Sequence, residues 1–173
     1  MIMSLAHLFD KKEQGETLVQ ELRAQMAEVA KQTAQAKRRP RVYFEEWDVP
    51  MMTGIAWVSE LITLAGGDDI FADMAQHHHG RQRIIADASE VVRRAPDIII
   101  GSWCGKKFRP EAVQARDGWN SIPAVKNNRL YEIKSPDILS PGPAAIREGL
   151  LQLQEIISDW QAQFDNDEGD VRV

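Results

Sequence analysis

The sequence predicts an α/β fold: a Rossmann-like three-layer lobe with a small, mainly parallel sheet, preceded by a long amphipathic helix. Three observations carry this. Pro96-Asp97-Ile98-Ile99-Ile100 is a proline-bounded, β-branched apolar run, too short for a helix, and reads as a strand buried on both faces. Val42-Tyr43-Phe44 is a second apolar strand that turns polar and aromatic at Glu45-Glu46-Trp47-Asp48. Between and around these runs lie helical periodicities, the alternation that builds parallel sheets covered on both sides.

The first helix is expected over residues 12–36. Leu18, Leu22, Met26, Val29 and Thr33 recur at spacings of four and three, forming one narrow apolar stripe among Glu, Gln, Lys and Arg. Such a helix would be about 37 Å long, with only one face to bury. Lys37-Arg38-Arg39-Pro40 closes it, with cations at the negative helix end and a proline stop. A phosphate site is the other reading of those three cations.

The strand at residues 41–45 leads through Val49-Pro50-Met51-Met52-Thr53-Gly54 into a helix. That helix has Ile55, Val58, Leu61, Ile62 and Ala65 on one face and Gly66-Gly67 as its stop. Asp69 to Met74 then leads to Gln76-His77-His78-His79-Gly80. Adjacent histidines do not converge on one ion, because tetrahedral sites draw ligands from separated positions. A solvated loop near a ligand mouth is the favoured reading, with metal binding as its alternative. Asp87 with Glu90 three residues on makes a capping-box pattern.

The octapeptide Gly101-Ser102-Trp103-Cys104-Gly105-Lys106-Lys107-Phe108 follows the strand at residues 97–101. In open α/β sheets ligands bind beyond the carboxyl ends of the strands. The segment offers glycines for close backbone approach, aromatics for flat surfaces and lysines for anionic groups. An ordinary strand-to-helix loop is the bland alternative. Trp47 occupies the equivalent place after the earlier strand, and two such tryptophans suit a flat, largely apolar ligand.

Arg109-Pro110-Glu111 starts another helix, and Asp117-Gly118-Trp119 marks a turn. Ile122-Pro123-Ala124-Val125 and Leu130-Tyr131-Glu132-Ile133 read as short strands around Asn127-Asn128, with a further short strand near residues 84–85. Ser140-Pro141-Gly142-Pro143 initiates the last helix. Ile146, Leu150, Leu153, Ile157, Trp160 and Phe164 give it a core-facing stripe. The expected organisation is a helical segment over residues 1–40, a lobe over 41–164 and an acidic, disordered tail over 165–173.

Composition narrows the function classes. A chain of 173 residues is read as one domain, long enough to bury roughly 70% of its unfolded surface. A net charge of −5 argues against a nucleic-acid partner. The single cysteine, Cys104, excludes an internal disulfide and a cysteine-based structural zinc. No apolar run approaches the roughly 18 residues of a membrane span. The opening Met1-Ile2-Met3-Ser4-Leu5-Ala6-His7 is not read as a signal peptide, since it lacks a basic start and a sufficient apolar stretch.

Several segments together resemble the cobalamin-type periplasmic substrate-binding proteins of ABC importers. They are Glu45-Glu46-Trp47-Asp48, Gly54-Ile55-Ala56-Trp57-Val58-Ser59-Glu60-Leu61-Ile62, Ala65-Gly66-Gly67, the run from Pro96 to Lys107, and Pro141-Gly142-Pro143. In that family two Rossmann-like lobes are joined by one long helix, with ligand between them. The resemblance covers the linking helix and the second lobe, from about Ser4 to about Trp160. It implies a periplasmic setting, no intrinsic cofactor, cobalamin or a related corrinoid as transported ligand, and an importer permease as partner.

The ligand face is then expected to comprise Glu46, Trp47, His78, Trp103, Cys104, Gly105, Lys106 and Phe108, with no catalytic and no metal-ligating residues. The family's permease-docking glutamate maps to Ser89, with Glu90 adjacent; capping is the other reading of Glu90. Siderophore-iron, haem or a metal ion in the same fold is the alternative cargo. A small enzyme using Cys104 as nucleophile, its pKa lowered by Lys106 and Lys107, is the second alternative. An opening helix lacking part of its cover further predicts a homodimer, and a one-walled site predicts weak corrinoid binding.

Overall fold

The structure, a computed structural model, describes residues 1–167, with side chains through Gln163. A short helix α1 (Ile2–Leu8) turns at Phe9–Lys11 into α2 (Lys12–Thr33). Asp10 takes a left-handed backbone at that turn, φ 53°. α2 ends before residue 36 because the Thr33 hydroxyl donates to the Leu64 carbonyl at 2.9 Å, pinning the last turn onto the next helix. Leu22 and Val29 are buried, while Leu18, Met26 and Thr33 are half-buried, so the stripe expected from spacing is the face α2 turns inward.

The sheet comprises β1 (Arg41–Asp48), β2 (Met51–Thr53), β3 (Asp68–Asp69), β4 (Ile98–Gly101) and β5 (Leu130–Glu132). Its order is β2-β1-β4-β5, with β3 also paired to β1. The β1–β3, β1–β4 and β4–β5 pairings are parallel; only the β1–β2 hairpin is antiparallel. The mainly parallel sheet expected from sequence is therefore present, with β1 and β4 as its centre.

Three local expectations need correction. The segment after Asp48 is a hairpin strand, and a bulge between Glu45 and Trp47 shifts its register. Ile84 forms only an isolated bridge to Met52. Residues 122–125, expected as a short strand, instead lead into and form most of helix α7 (Pro123–Lys126). Pro123 sits at the first turn, where its fixed φ favours a helix and its missing N–H costs nothing. Asn128 then turns the chain at φ 54° into β5.

The remaining helices are α3 (Ala56–Leu64), α4 (Ala72–Ala75), α5 (Ser89–Arg94), α6 (Pro110–Gln114), α8 (Ser135–Ile138) and α9 (Leu150–Asp167). A π-helical turn, Ala145–Gly149, runs directly into α9. A π turn frees carbonyls from the regular ladder. Gln25 of α2 donates to one of them, the Ile146 oxygen, at 2.6 Å. α9 continues to Asp167, into the stretch expected as the acidic tail; residues 168–173 and the Phe164 side chain lie outside the described structure.

Strand alternation sorts the two cores. Val42, Phe44, Ile98 and Ile100 face one side with Val58, Ile62, Leu150, Leu153 and Ile157. Tyr43 and Ile99 face the other with Phe71, Val91, Trp103, Val113 and Trp119. Helices thus cover both sheet faces, the three-layer arrangement that strands buried on both sides require. The Tyr43 ring meets Phe71 at 5.6 Å and Trp119 at 6.0 Å, both edge-on.

Gly101 ends β4 where a Cβ would overlap the Phe108 ring, leaving hydrogen as the only side chain that fits. Gly101→Ala should therefore destabilise the chain by about 1–3 kcal/mol through overpacking. Chemical denaturation followed by far-UV circular dichroism reads this directly; an unchanged midpoint would contradict the packing described.

Candidate functional site

The carboxyl ends of β1 and β4 define the face that the sequence singles out. β1 delivers Glu45, Glu46, Trp47 and Asp48, and β4 is followed by the segment from Ser102 to Phe108. The Ser102 amide donates to the Glu45 carbonyl at 2.9 Å, continuing the strand pairing one residue past the end of β4. The two loops are therefore held side by side where they leave the sheet.

Beneath them lies a polar centre. Glu45 has no exposure to solvent. Arg116, just beyond α6, donates to both its oxygens, at 2.6 and 2.9 Å. The Tyr43 hydroxyl donates at 2.9 Å and the Trp103 indole N–H at 3.0 Å. Four donor contacts meet the demand of a buried carboxylate. Burial lowers the Arg116 guanidinium's affinity for its proton, but the Glu45 contacts outweigh that and raise it. Burial, followed by the neighbouring Glu45 charge, pushes the Tyr43 phenol well above its ordinary value.

Above this floor the upper layer is partly open. Trp47 is half-buried, its indole N–H donating to the Val49 carbonyl at 2.8 Å. Lys106 pairs with Asp48 and places its ammonium 4.5 Å from the Trp47 ring centre and 5.0 Å from that of Trp103. Burial raises the Asp48 carboxyl, but the Lys106 contact reverses this and leaves it below the usual carboxylate range. Cys104, Gly105 and Lys106 are exposed. Gly105 takes φ 76°, the left-handed turn that a glycine supplies without strain.

The histidine segment joins the same face through its neighbour. His77, His78 and His79 are exposed and lead into a 3-10 turn, Gly80–Arg83. Arg83 is buried, donating to Glu46 at 2.6 Å and to the Thr53 carbonyl at 2.7 Å. Glu46 is thus committed to tethering this loop. Among the described residues no cluster of three or more His, Cys, Asp or Glu side chains is placed to hold a metal ion.

The structure therefore divides the expected ligand face. Trp47 is half-buried and His78, Cys104, Gly105 and Lys106 are exposed, with Lys106 and Trp47 in contact beyond the carboxyl ends of β4 and β1. Trp103 and Phe108 are interior, 3% and 2% exposed, with their rings edge-on at 5.0 Å. Trp103 was expected to offer a flat surface; the Glu45 carboxylate draws its N–H inward, so it forms the floor instead. Sequence reasoning missed Glu45, Arg116, Tyr43 and Arg83. Strand alternation places Glu45 on the same face as the buried Tyr43, and that was the available signal.

The capping box expected at α5 is also different. Asp87 accepts from the Ser89 amide at 2.9 Å, but Glu90 does not reach back toward Asp87. Its carboxylate pairs with Arg93 and, at 2.7 Å, with Arg94. Contacts with Arg94 and then Arg93 hold it below the usual carboxylate range.

Comparison with known proteins follows this geometry. The periplasmic binding protein family model matches residues 1–136. The high-affinity heme uptake system protein IsdE of Staphylococcus aureus is 25% identical over 142 residues, covering 77% of this chain and 47% of that protein. The chain thus spans about half the length of the curated relatives it matches. A possible iron-binding, periplasmic solute-binding protein from Staphylococcus epidermidis superposes with TM-score 0.75 at 23% identity, covering 90% of this chain and 59% of that one. The vitamin B12 binding protein BtuF of Vibrio cholerae superposes with TM-score 0.70 at 20% identity, covering 92% and 60%. The matched family and these neighbours are named for binding, which lends no support to the reading of Cys104 as a catalytic nucleophile.

The buried phenol gives a pH prediction. Because the folded state raises the Tyr43 pKa, the unfolded chain loses that proton first, and stability falls as pH rises past about 10. Tyr43→Phe should flatten this alkaline slope in urea titrations. An identical slope in both proteins would contradict the environment described for the phenol.

Proposed function

The chain belongs to the periplasmic binding protein family, and from that premise we propose that it is the linking helix and second lobe of an ABC-importer substrate-binding component whose cargo is a metal-bearing tetrapyrrole. The carrying observation is Trp47 beside the exposed Lys106 ammonium, on a floor fixed by Glu45. An indole supplies flat apolar area at low entropic cost, and the ammonium meets acidic groups on the ligand periphery. Haem and corrinoids share the flat macrocycle. Support comes from relatives named for heme uptake and for vitamin B12 binding.

Corrinoid alone is thus widened to tetrapyrrole. Haem's acidic side chains would exchange with Asp48 as partners of Lys106, whereas a corrinoid uses mainly the Trp47 face. Binding by the single lobe is weak in this reading, because one wall buries far less ligand surface than a closed pocket. The same reading places the protein on the periplasmic side with an importer permease as partner. Docking through Glu90 would require exchanging Arg93 and Arg94 for cations of the permease, a swap that its half-exposed position permits.

Absorbance and tryptophan-fluorescence titrations with hemin, cobalamin, cobinamide and a ferric hydroxamate test this. Hemin or a corrinoid should bind in the micromolar range or weaker, the hydroxamate should not, and Trp47→Ala should weaken binding about tenfold. Equal binding by Trp47→Ala, or preference for the hydroxamate, would overturn the tetrapyrrole assignment.

A further inference from the structure

Trp47 and Lys106 carry the ligand reading, yet they are already engaged with each other and with a third group. The Lys106 ammonium stands 4.5 Å from the centre of the Trp47 ring and 5.0 Å from that of Trp103, within cation–π reach of both. It therefore lies over indole surface that a flat ligand needs. Its counter-ion is Asp48, the last residue of β1, whose side chain is 14% exposed against 41% for Lys106. Burial alone favours the neutral acid at Asp48, but the ammonium beside it keeps the carboxylate charged.

The two partners differ in freedom. Asp48 has a short side chain and lies opposite Met51 in the β1–β2 hairpin. Lys106 has a long flexible stem on a turn closed by its amide on the Trp103 carbonyl at 3.4 Å, and rotation about its own bonds lifts the ammonium off the rings. Gly105 beside it borders open space, a Cβ there meeting nothing within 4 Å. Arg116, a second cation that the Asp48 charge reaches, is committed to both oxygens of Glu45. Lys106 is thus the group that can change partners.

We infer that Asp48 is a built-in competitor for the acidic group of the ligand, holding Lys106 across the indoles until a carboxylate on a flat ligand replaces it. The inference rests on the ligand reading above and deepens it, by naming the ligand feature that the site selects. A flat ligand with a carboxylate exchanges one anionic partner of Lys106 for another and gains the indole surface that the ammonium covered. A flat ligand with a neutral periphery must break the Lys106–Asp48 pair and leave both charges to water. Selection of an acidic macrocycle over a neutral one follows, as a difference of affinities set by the pair that must be displaced. Asp48 acts through Lys106 and is a positioning residue; Lys106 is the group that meets the ligand.

Hemin and its dimethyl ester share one macrocycle and differ in carboxylate against ester, so absorbance titrations with the two probes read this selection. The unaltered chain should prefer hemin. Asp48→Asn should strengthen hemin binding about fivefold, the magnitude of a partly exposed ion pair, and leave the ester within about twofold. Lys106→Met should weaken hemin about fivefold and abolish its advantage over the ester. Equal shifts for both probes in Asp48→Asn, no gain for hemin, or a hemin preference that survives Lys106→Met would reduce the pair to a tie between two loops. Any of these overturns the inference while the ligand reading stands. Hemin bound by none of the three proteins would overturn the haem reading and the inference with it.

Discussion

A carboxylate taken fully out of water must be met by donors, and Glu45 meets them from three separate stretches of chain. Tyr43 comes from its own strand, Trp103 from the loop after β4 and Arg116 from the end of α6. Removing one partner of a buried ion pair costs about 3–5 kcal/mol, because the remaining charge has no water to turn to. The pair is accordingly a constraint on geometry more than a source of net stability. It dictates that Trp103 points inward and that the Ser102–Phe108 loop leaves the sheet beside β1. It also leaves the exposed Lys106 against the rim indole of Trp47 and over the buried indole of Trp103.

The candidate face is thus a thin layer on a rigid base. The base consists of two central parallel strands with all of Ile98, Ile99 and Ile100 buried, and it cannot tilt without opening both cores. The layer consists of short loops tethered by a few polar contacts, among them Arg83 to Glu46 and the Thr53 carbonyl and Lys106 to Asp48. Binding surfaces built this way tolerate change in the layer while the base keeps its shape. The strand ends of this fold class present their loops on one edge, which is why the octapeptide leaves the sheet beside the end of β1, while Arg83 ties the turn after the histidines to the hairpin.

Much of the base was legible in the sequence. Val42-Tyr43-Phe44 and Ile98-Ile99-Ile100 are too apolar and too β-branched to be anything but interior strands, and the spacings in α2 and α9 marked their inward faces. Elements decided by tertiary contact were not legible. Ile122 and Val125 suggest a strand over residues 122–125, but Pro123 at a first turn and the Ala124 amide bonded to the Pro96 carbonyl at 3.0 Å go with a helix there. The π turn depends on Gln25, more than a hundred residues away in sequence. Arg116 carries no local sign of its partner Glu45 for the same reason. Trp103 illustrates the limit at the site: its place after a strand was read correctly, and its direction was set by a charge that sequence spacing does not reveal.

The central claim is that Glu45 holds the floor of the candidate face by fixing Trp103. Hydrogen exchange of the Trp103 indole N–H, followed by NMR in the unaltered chain and in Glu45→Gln, tests it most directly. The account predicts a proton protected in the unaltered chain that exchanges readily after the substitution, together with the Cys104–Lys106 amides, while the β4 amides stay protected. An indole proton that exchanges rapidly in the unaltered chain, or at the same rate in both proteins, would contradict it.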